Sequence, residues 1–376
     1  MPTHRVYFVP GMFGFGTLAG YDYFRHVRAA LETRFADAGV KLVAEVVPTP
    51  PTSSLRHRAR ILAKAIRVSA DESGPIHLVG HSTGGLDVRL VLSPSTDLKS
   101  DAERLRWRPR VVSATSFNAP HFGTPLASYF ATVSGTRVLY ALSLLTVVSL
   151  SVGEPSLAVF SKLLAALGGV EQLFGGDVRL ISGATDLVLR FVDNHGRSEI
   201  SGFLEKIRTD QGAIVQIMPE AMDLFNATAE DDPRIRYGSV VTAAPPPRAL
   251  RFAKKVRSPY AALTAAMYAT LYQFASQRHK MYPYAQPSPE QATTLAEGIR
   301  DPITDESSDG VVPTLSQLWG DLVWCGDGDH LDVLGHFHDD EKQSDHVDWM
   351  TSGAHFDRRR FGSLMDAVAS FQLGAK

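Results

Sequence analysis

The chain has 376 residues, 44% of them hydrophobic and 21% charged, which is enough to bury a substantial core and is ordinary for a globular enzyme. A formal net charge of −2 argues against the broad positive face that nucleic-acid binding needs, and the arginines at 104 to 110 and 358 to 360 read as solvated surface. With Cys325 as the only cysteine no intramolecular disulfide can form, and the thiol reads as buried and inert.

In chain order, Met1-Pro2-Thr3-His4-Arg5 passes directly into the apolar run Val6 to Val9. No charged leader, long apolar segment and cleavage site precede it, which points to the cytoplasm, with secretion by another route left open. Strands are expected over Arg5 to Val9, Lys41 to Val47, Ile76 to Val79, Val111 to Phe117, Arg236 to Thr242 and Leu322 to Trp324. Helical patterns fall between them, at Tyr21 to Ala38, at Leu55 to Val68 and just after Ser82. This alternation predicts an α/β class chain, a mostly parallel sheet flanked by helices.

The alternation stops from about Ala127 to Arg234, where apolar helical stretches and Gly-rich turns replace core strands. The segment reads as a largely helical cap, residues 127 to 234, inserted into a core made of residues 1 to 126 and 235 to 376. Its most apolar part, Val138 to Val152, is broken by Ser143, Thr146, Ser149 and Ser151, and is shorter than the roughly 20 residues of a membrane span. A second irregular region runs from Ala243 through Pro245-Pro246-Pro247 to Glu306, with helical pieces near Pro259 to Gln277 and Pro289 to Ile299.

The sharpest chemical signal is Gly80-His81-Ser82-Thr83-Gly84, a G-x-S-x-G pattern with a strand before it and a helix after it. Gly80 and Gly84 suit the tight turn that holds such a serine in a strained conformation. A serine hydroxyl is a poor nucleophile at neutral pH, so a histidine must take its proton and a carboxylate must orient that histidine. In a strand–turn–helix site the order along the chain is serine, acid, histidine. His330, just past the last strand, is the best-placed base, with His336 as the alternative. Asp309, beside Gly310, is the candidate acid, ahead of Asp301 and Asp305; its other reading is a turn aspartate capping the next helix.

The oxyanion of a tetrahedral intermediate needs two backbone N–H donors. One is expected from Thr83, at the start of the helix, and the other from Met12, or alternatively Phe13, in the glycine-rich run after the first strand. His336, His338, His346 and His355 match no recognisable metal-ligand spacing.

These pieces together resemble bacterial lipases of the α/β-hydrolase superfamily, the triacylglycerol lipase type with an inserted lid. Pro10-Gly11-Met12 is similar to their His-Gly-x oxyanion loop, with proline where histidine is usual. Gly80 to Gly85 and Asn118 to Pro125 resemble the elbow and the strand end leading into the lid. Ser308-Asp309-Gly310-Val311-Val312 resembles the acid loop, and Asp329-His330-Leu331-Asp332 the base loop. The resemblance implies the α/β-hydrolase fold, the roles of Asp309 and His330, and a structural calcium ligand at Asp332, with no second calcium carboxylate evident and no cofactor required. It covers the sheet core well and residues 127 to 234 and 243 to 306 hardly at all.

The expected substrate is an ester with a hydrophobic acyl group, met at a lipid interface if the cap opens. Leu142 and Leu145, on one helical face with Leu139, join Phe13 and His81 as candidate substrate-lining residues. A cap that never moves reads equally well. Competing readings are acyl transfer to an alcohol or depolymerisation of a hydrophobic polyester by the same residues, and a non-catalytic lipid carrier.

Overall fold

The computed structural model describes residues 2–12, 17–18, 21–69, 73–98, 105–132, 139, 143, 194–247, 259–278, 280–339, 341 and 346–374. The first strand, β1 (Thr3–Val9), is followed by a short antiparallel pair, β2 (Thr17–Leu18) with β3 (Tyr21–Asp22), and by helix α1 (Arg25–Asp37). Next come β4 (Lys41–Val46), α2 (Leu55–Ser69), β5 (Ile76–His81), α3 (Thr83–Leu92) and β6 (Val111–Phe117). The chain returns to the sheet with β7 (Arg236–Ala243) and β8 (Asp321–Asp327), and closes with the long helix Arg358–Leu373.

All six long strands pair in parallel, in the order β4-β1-β5-β6-β7-β8. Successive side chains of a strand face opposite ways, so β1 sends Val6 and Phe8 to one core and Tyr7 and Val9 to the other. The first core is closed by Val27, Leu31 and Phe35 of α1, the second by Leu62 and Ile66 of α2 and Val88 and Val91 of α3. β5 is buried along its whole length, as a central parallel strand must be.

All six expected strands are present. The helix expected from Tyr21 starts only at Arg25, because Tyr21–Asp22 pairs with Thr17–Leu18 and the Asp22 carboxylate accepts the N–H of Phe24 at 3.0 Å. The arginines near 110 are not simply solvated. Arg108 donates to the carbonyls of Val91 and Ser93 at the end of α3, and Arg110 to that of Gly74. Cys325 is only half-buried, with its Sγ 3.3 Å from the Thr294 carbonyl and its thiol pushed up to about 11 by burial.

Helices α4 (Pro125–Phe130), α5 (Asn194–Thr209), α6 (Gly212–Gln216) and α7 (Pro219–Thr228) follow β6. Helices α8 (Pro259–Ala275) and α9 (Pro289–Gly298) follow β7, and the helix Arg358–Leu373 becomes α10. α4 and α8 meet through the rings of Tyr129 and Phe274, stacked with centroids 3.8 Å apart. The apolar run 138–152 lies outside the described residues except for Leu139 and Ser143, both buried and one turn apart, with the Ser143 hydroxyl donating to the Leu139 carbonyl. Leu142 and Leu145 are among the residues not described, as is Phe13.

Candidate active site

Ser82 stands between the end of β5 and the start of α3, with φ 54° and ψ −128°. That is the left-handed half of the map, where a non-glycine residue persists only if its surroundings hold it. They do: the Ser82 N–H donates to the Phe117 carbonyl of β6 at 2.8 Å, and the Ser82 carbonyl accepts from Gly85 at 3.0 Å. A Cβ on Gly80 would stand 2.4 Å from the backbone of Gly84, and one on Gly84 would stand 2.1 Å from the Val9 carbonyl oxygen. Both glycines are therefore demanded by backbone contact, the close packing expected of a serine elbow.

His330 and Asp309 come together as the sequence suggests. His330 Nδ1 lies 2.7 Å from Asp309 Oδ2, and the His330 N–H donates to the Asp309 carbonyl at 3.1 Å. Asp309 is buried, and its other oxygen accepts the N–H groups of Val311 and Val312 at 2.8 and 2.7 Å. The aspartate thus does both things open to it, closing the turn with Oδ1 and meeting the imidazole with Oδ2. Gly310 beside it has φ +95°, the conformation that lets the loop turn there. Asp301 is exposed, and Asp305 is half-buried and pairs with Arg278 at 2.9 Å.

Ser82, His330, Met12 and Thr83 line one cleft. Its walls are mostly apolar: Leu126 and Phe130 of α4, Ile217 after α6, Leu271 of α8 and Val312 of the acid loop. Leu271 lies outside the 127–234 segment, so both irregular regions cover the strand ends. Thr83 opens α3, where the first N–H groups have no partner within the helix. Gly11 brings the other loop close: a Cβ there would stand 2.7 Å from that of Ser82.

The Pro10 carbonyl is held by Arg58 Nη2 at 2.6 Å. Arg58 comes from α2, is completely buried, donates from Nη1 to the Pro50 and Pro51 carbonyls at 2.5 and 3.2 Å, and meets Asp87 of α3 through Nε and Nη2, both at 2.8 Å. Burial pushes the Asp87 carboxyl up to about 6, and the Arg58 charge and hydrogen bond oppose that rise. Sequence reasoning missed this pair. The available signal was an arginine on the buried stripe Leu55, Arg58, Ala59, Leu62, Ala63, Ile66.

His81 also lines the cleft, with both ring nitrogens committed: Nδ1 to the Tyr23 hydroxyl at 2.8 Å and Nε2 to the His330 carbonyl at 2.9 Å. His336, the alternative base, lines the cleft too, but its hydrogen bond goes to the backbone of Tyr23; burial, with His26 and His346 nearby, pushes its imidazole down to about 3.

The Asp332 carboxylate turns inward, its Oδ2 accepting the Asp329 N–H at 2.8 Å. Burial pushes its carboxyl well above the usual carboxylate range, and the Asp329 and Asp348 charges add to this. Carboxylate oxygens are the right donors for calcium, yet among the described residues no three His, Cys, Asp or Glu side chains gather so as to hold a metal ion. Also among the described residues, no helix is long and apolar enough to cross a membrane.

No family model matches the chain. A triacylglycerol lipase from Vibrio cholerae serotype O1 is 36% identical over 125 residues, which is 33% of this chain and 35% of the lipase, so the match spans about a third of that relative. Lipase 1 from Pelosinus fermentans superposes with a TM-score of 0.51 at 16% identity, over 98% of this chain and 99% of that one. EstA from Clostridium botulinum gives 0.50, also at 16% identity, over 94% and 86%. The chain has the α/β-hydrolase fold. Within that fold it resembles bacterial lipases, as the loops around Met12, Ser82, Asp309 and His330 lead one to expect.

Proposed function

We propose that the chain is a carboxylic ester hydrolase working through an acyl-enzyme on Ser82. The observation that carries the reading is an elbow serine at positive φ on the wall of the same apolar cleft as a histidine bonded to a buried aspartate. With its Nδ1–H donated to Asp309, His330 keeps a lone pair on Nε2. It takes the Ser82 Oγ proton as that oxygen attacks the ester carbonyl carbon, then gives the proton to the leaving alkoxide as the C–O bond breaks. A water molecule repeats the cycle and releases the acid. The N–H groups of Met12 and Thr83 receive the oxyanion, each worth about a hundredfold or more in rate.

The apolar walls favour a hydrophobic acyl group, as in medium- or long-chain esters and glycerides. In this reading residues 127 to 234 are the cap and residues 1 to 126 and 235 to 376 the hydrolase core, with α8 sharing the roof. The test is hydrolysis of p-nitrophenyl esters from acetate to palmitate by the native chain and by Ser82→Ala. Native activity rising with chain length, and lost in Ser82→Ala together with fluorophosphonate labelling, is the expected result. An undiminished rate in Ser82→Ala would overturn the reading.

A further inference from the structure

We propose that Tyr23 is a positioning residue for His330, acting through the ring of His81; the inference rests on the ester-hydrolase reading above. Tyr23 follows the β2–β3 pair and is buried, with its hydroxyl 2.8 Å from His81 Nδ1. His81 ends β5, is also buried, and places Nε2 2.9 Å from the backbone carbonyl of His330, with the two imidazole centroids 4.7 Å apart. Three segments distant in sequence are thus joined in one chain of hydrogen bonds that ends on the backbone of the base.

The direction of each bond follows from what the atoms can do. A carbonyl only accepts, so His81 Nε2 carries a hydrogen. Burial above all, and then the neighbouring His330, hold the His81 imidazole well below its ordinary range, so the ring is neutral and Nδ1 is bare. The Tyr23 hydroxyl therefore donates to Nδ1. That donation reinforces the tautomer the carbonyl requires, because with a ring protonated on Nδ1 the phenol would have to turn its own hydrogen away and accept instead. The same ring would also turn the Nε2 lone pair toward the His330 carbonyl.

Tyr23 is itself held in place. Its backbone is bonded by the His336 side chain, and its ring stands edge-on to Phe24 with centroids 5.1 Å apart. Asp309 fixes His330 from the side chain, and the Tyr23–His81 pair fixes it from the main chain. Both are needed if Nε2 is to face Ser82, since a small misplacement of a catalytic group costs rate steeply.

The experiment is a double-mutant cycle on Tyr23→Phe and His81→Gln, read as kcat and KM on one p-nitrophenyl ester and as the rate of Ser82 labelling by a fluorophosphonate. A glutamine amide donates to the His330 carbonyl with no tautomer to select. Tyr23→Phe is expected to lower kcat and the labelling rate about tenfold with KM within about twofold, and to have less than about a twofold effect in the His81→Gln background. Selective ¹³C-histidine NMR gives a readout independent of activity: the His81 Cδ2 shift should report the Nε2–H tautomer in the native chain and a mixture in Tyr23→Phe. An equal loss in both backgrounds, no loss at all, or an unchanged tautomer would overturn the inference while native labelling persists. A native chain that neither labels at Ser82 nor cleaves any ester would overturn the functional reading itself.

Discussion

Arg58→Met, alone and paired with Asp87→Leu, separates stability from catalysis in this molecule. The substitution removes a buried guanidinium that neutralises Asp87 and holds three carbonyls, those of Pro10, Pro50 and Pro51. Breaking a buried ion pair from one side costs about 3–5 kcal/mol, because the remaining charge is stranded. With Arg58 present, Asp87 is already pushed up to about 6, and losing the charge and hydrogen bond that oppose the rise sends it higher. A carboxyl raised in the folded state holds a proton that the unfolded chain releases, so stability is lost as pH rises through the folded value. The Arg58→Met defect should therefore be smaller at pH 5 than at pH 8.

The double variant Arg58→Met with Asp87→Leu removes the stranded charge and should recover about 2 kcal/mol of the loss, with the orphaned carbonyls accounting for the remainder. It does not restore the anchor on Pro10, two residues before Met12. Urea melts at both pH values, alongside kcat on a p-nitrophenyl ester, test the whole scheme. The expected result is regained stability with kcat still down about 10- to 100-fold, the scale of a displaced oxyanion donor. A double variant with native kcat would refute the claim that Arg58 sets the loop, and an Arg58→Met loss below about 1 kcal/mol would refute the buried-pair energetics.

Asp309→Asn should keep the turn through its carbonyl oxygen but drop kcat by about 10³- to 10⁴-fold, since the imidazole is no longer held in the tautomer that leaves Nε2 bare; steady-state kinetics on the folded variant check it. Gly84→Ala would press a methyl against the Val9 carbonyl oxygen, 2.1 Å from its ideal Cβ position, and should cost about 3 kcal/mol or more, read as a lowered melting temperature or lost soluble yield. His77, buried between His4 and Ser113, is pushed down to about 3 chiefly by burial, so it stays neutral in the folded chain while the unfolded chain takes up a proton below about 6.5. Its share of stability is present above that value and lost as pH falls. The native chain should lose about 1.4 kcal/mol more per pH unit between roughly pH 6 and pH 4 than His77→Gln does, by urea melts across that range.

The sheet was legible because each strand announces itself twice, by a β-branched run and by the helical pattern that follows. Ser82, Asp309 and His330, the proposed serine, acid and base, were legible for a related reason: each sits at a break between elements, where glycines and short polar residues stand out. Tyr23 had no such signal. It follows the two-residue β2–β3 pair, too short for any period to register, and in sequence it merged with the apolar face of α1. Leu271 of α8 was equally silent, since nothing in a run of alanines, tyrosines and leucines says which face meets a cleft built by segments distant in sequence.

Arg58 and Asp87 form an intermediate case. Each breaks the pattern of its own helix, an arginine on the buried stripe of α2 and an aspartate in a short apolar helix opened by Ser82. One buried charge in an apolar stripe is a contradiction, and two of opposite sign on helices that flank the same strand resolve it. Read that way, the pair is predictable from the two helical patterns alone. What no local pattern carried was its third partner, the Pro10 carbonyl, because backbone acceptors look alike in every sequence. The proposed catalytic groups can thus be read one at a time, whereas the bonds that aim them join distant segments through main-chain atoms and become visible only in the fold.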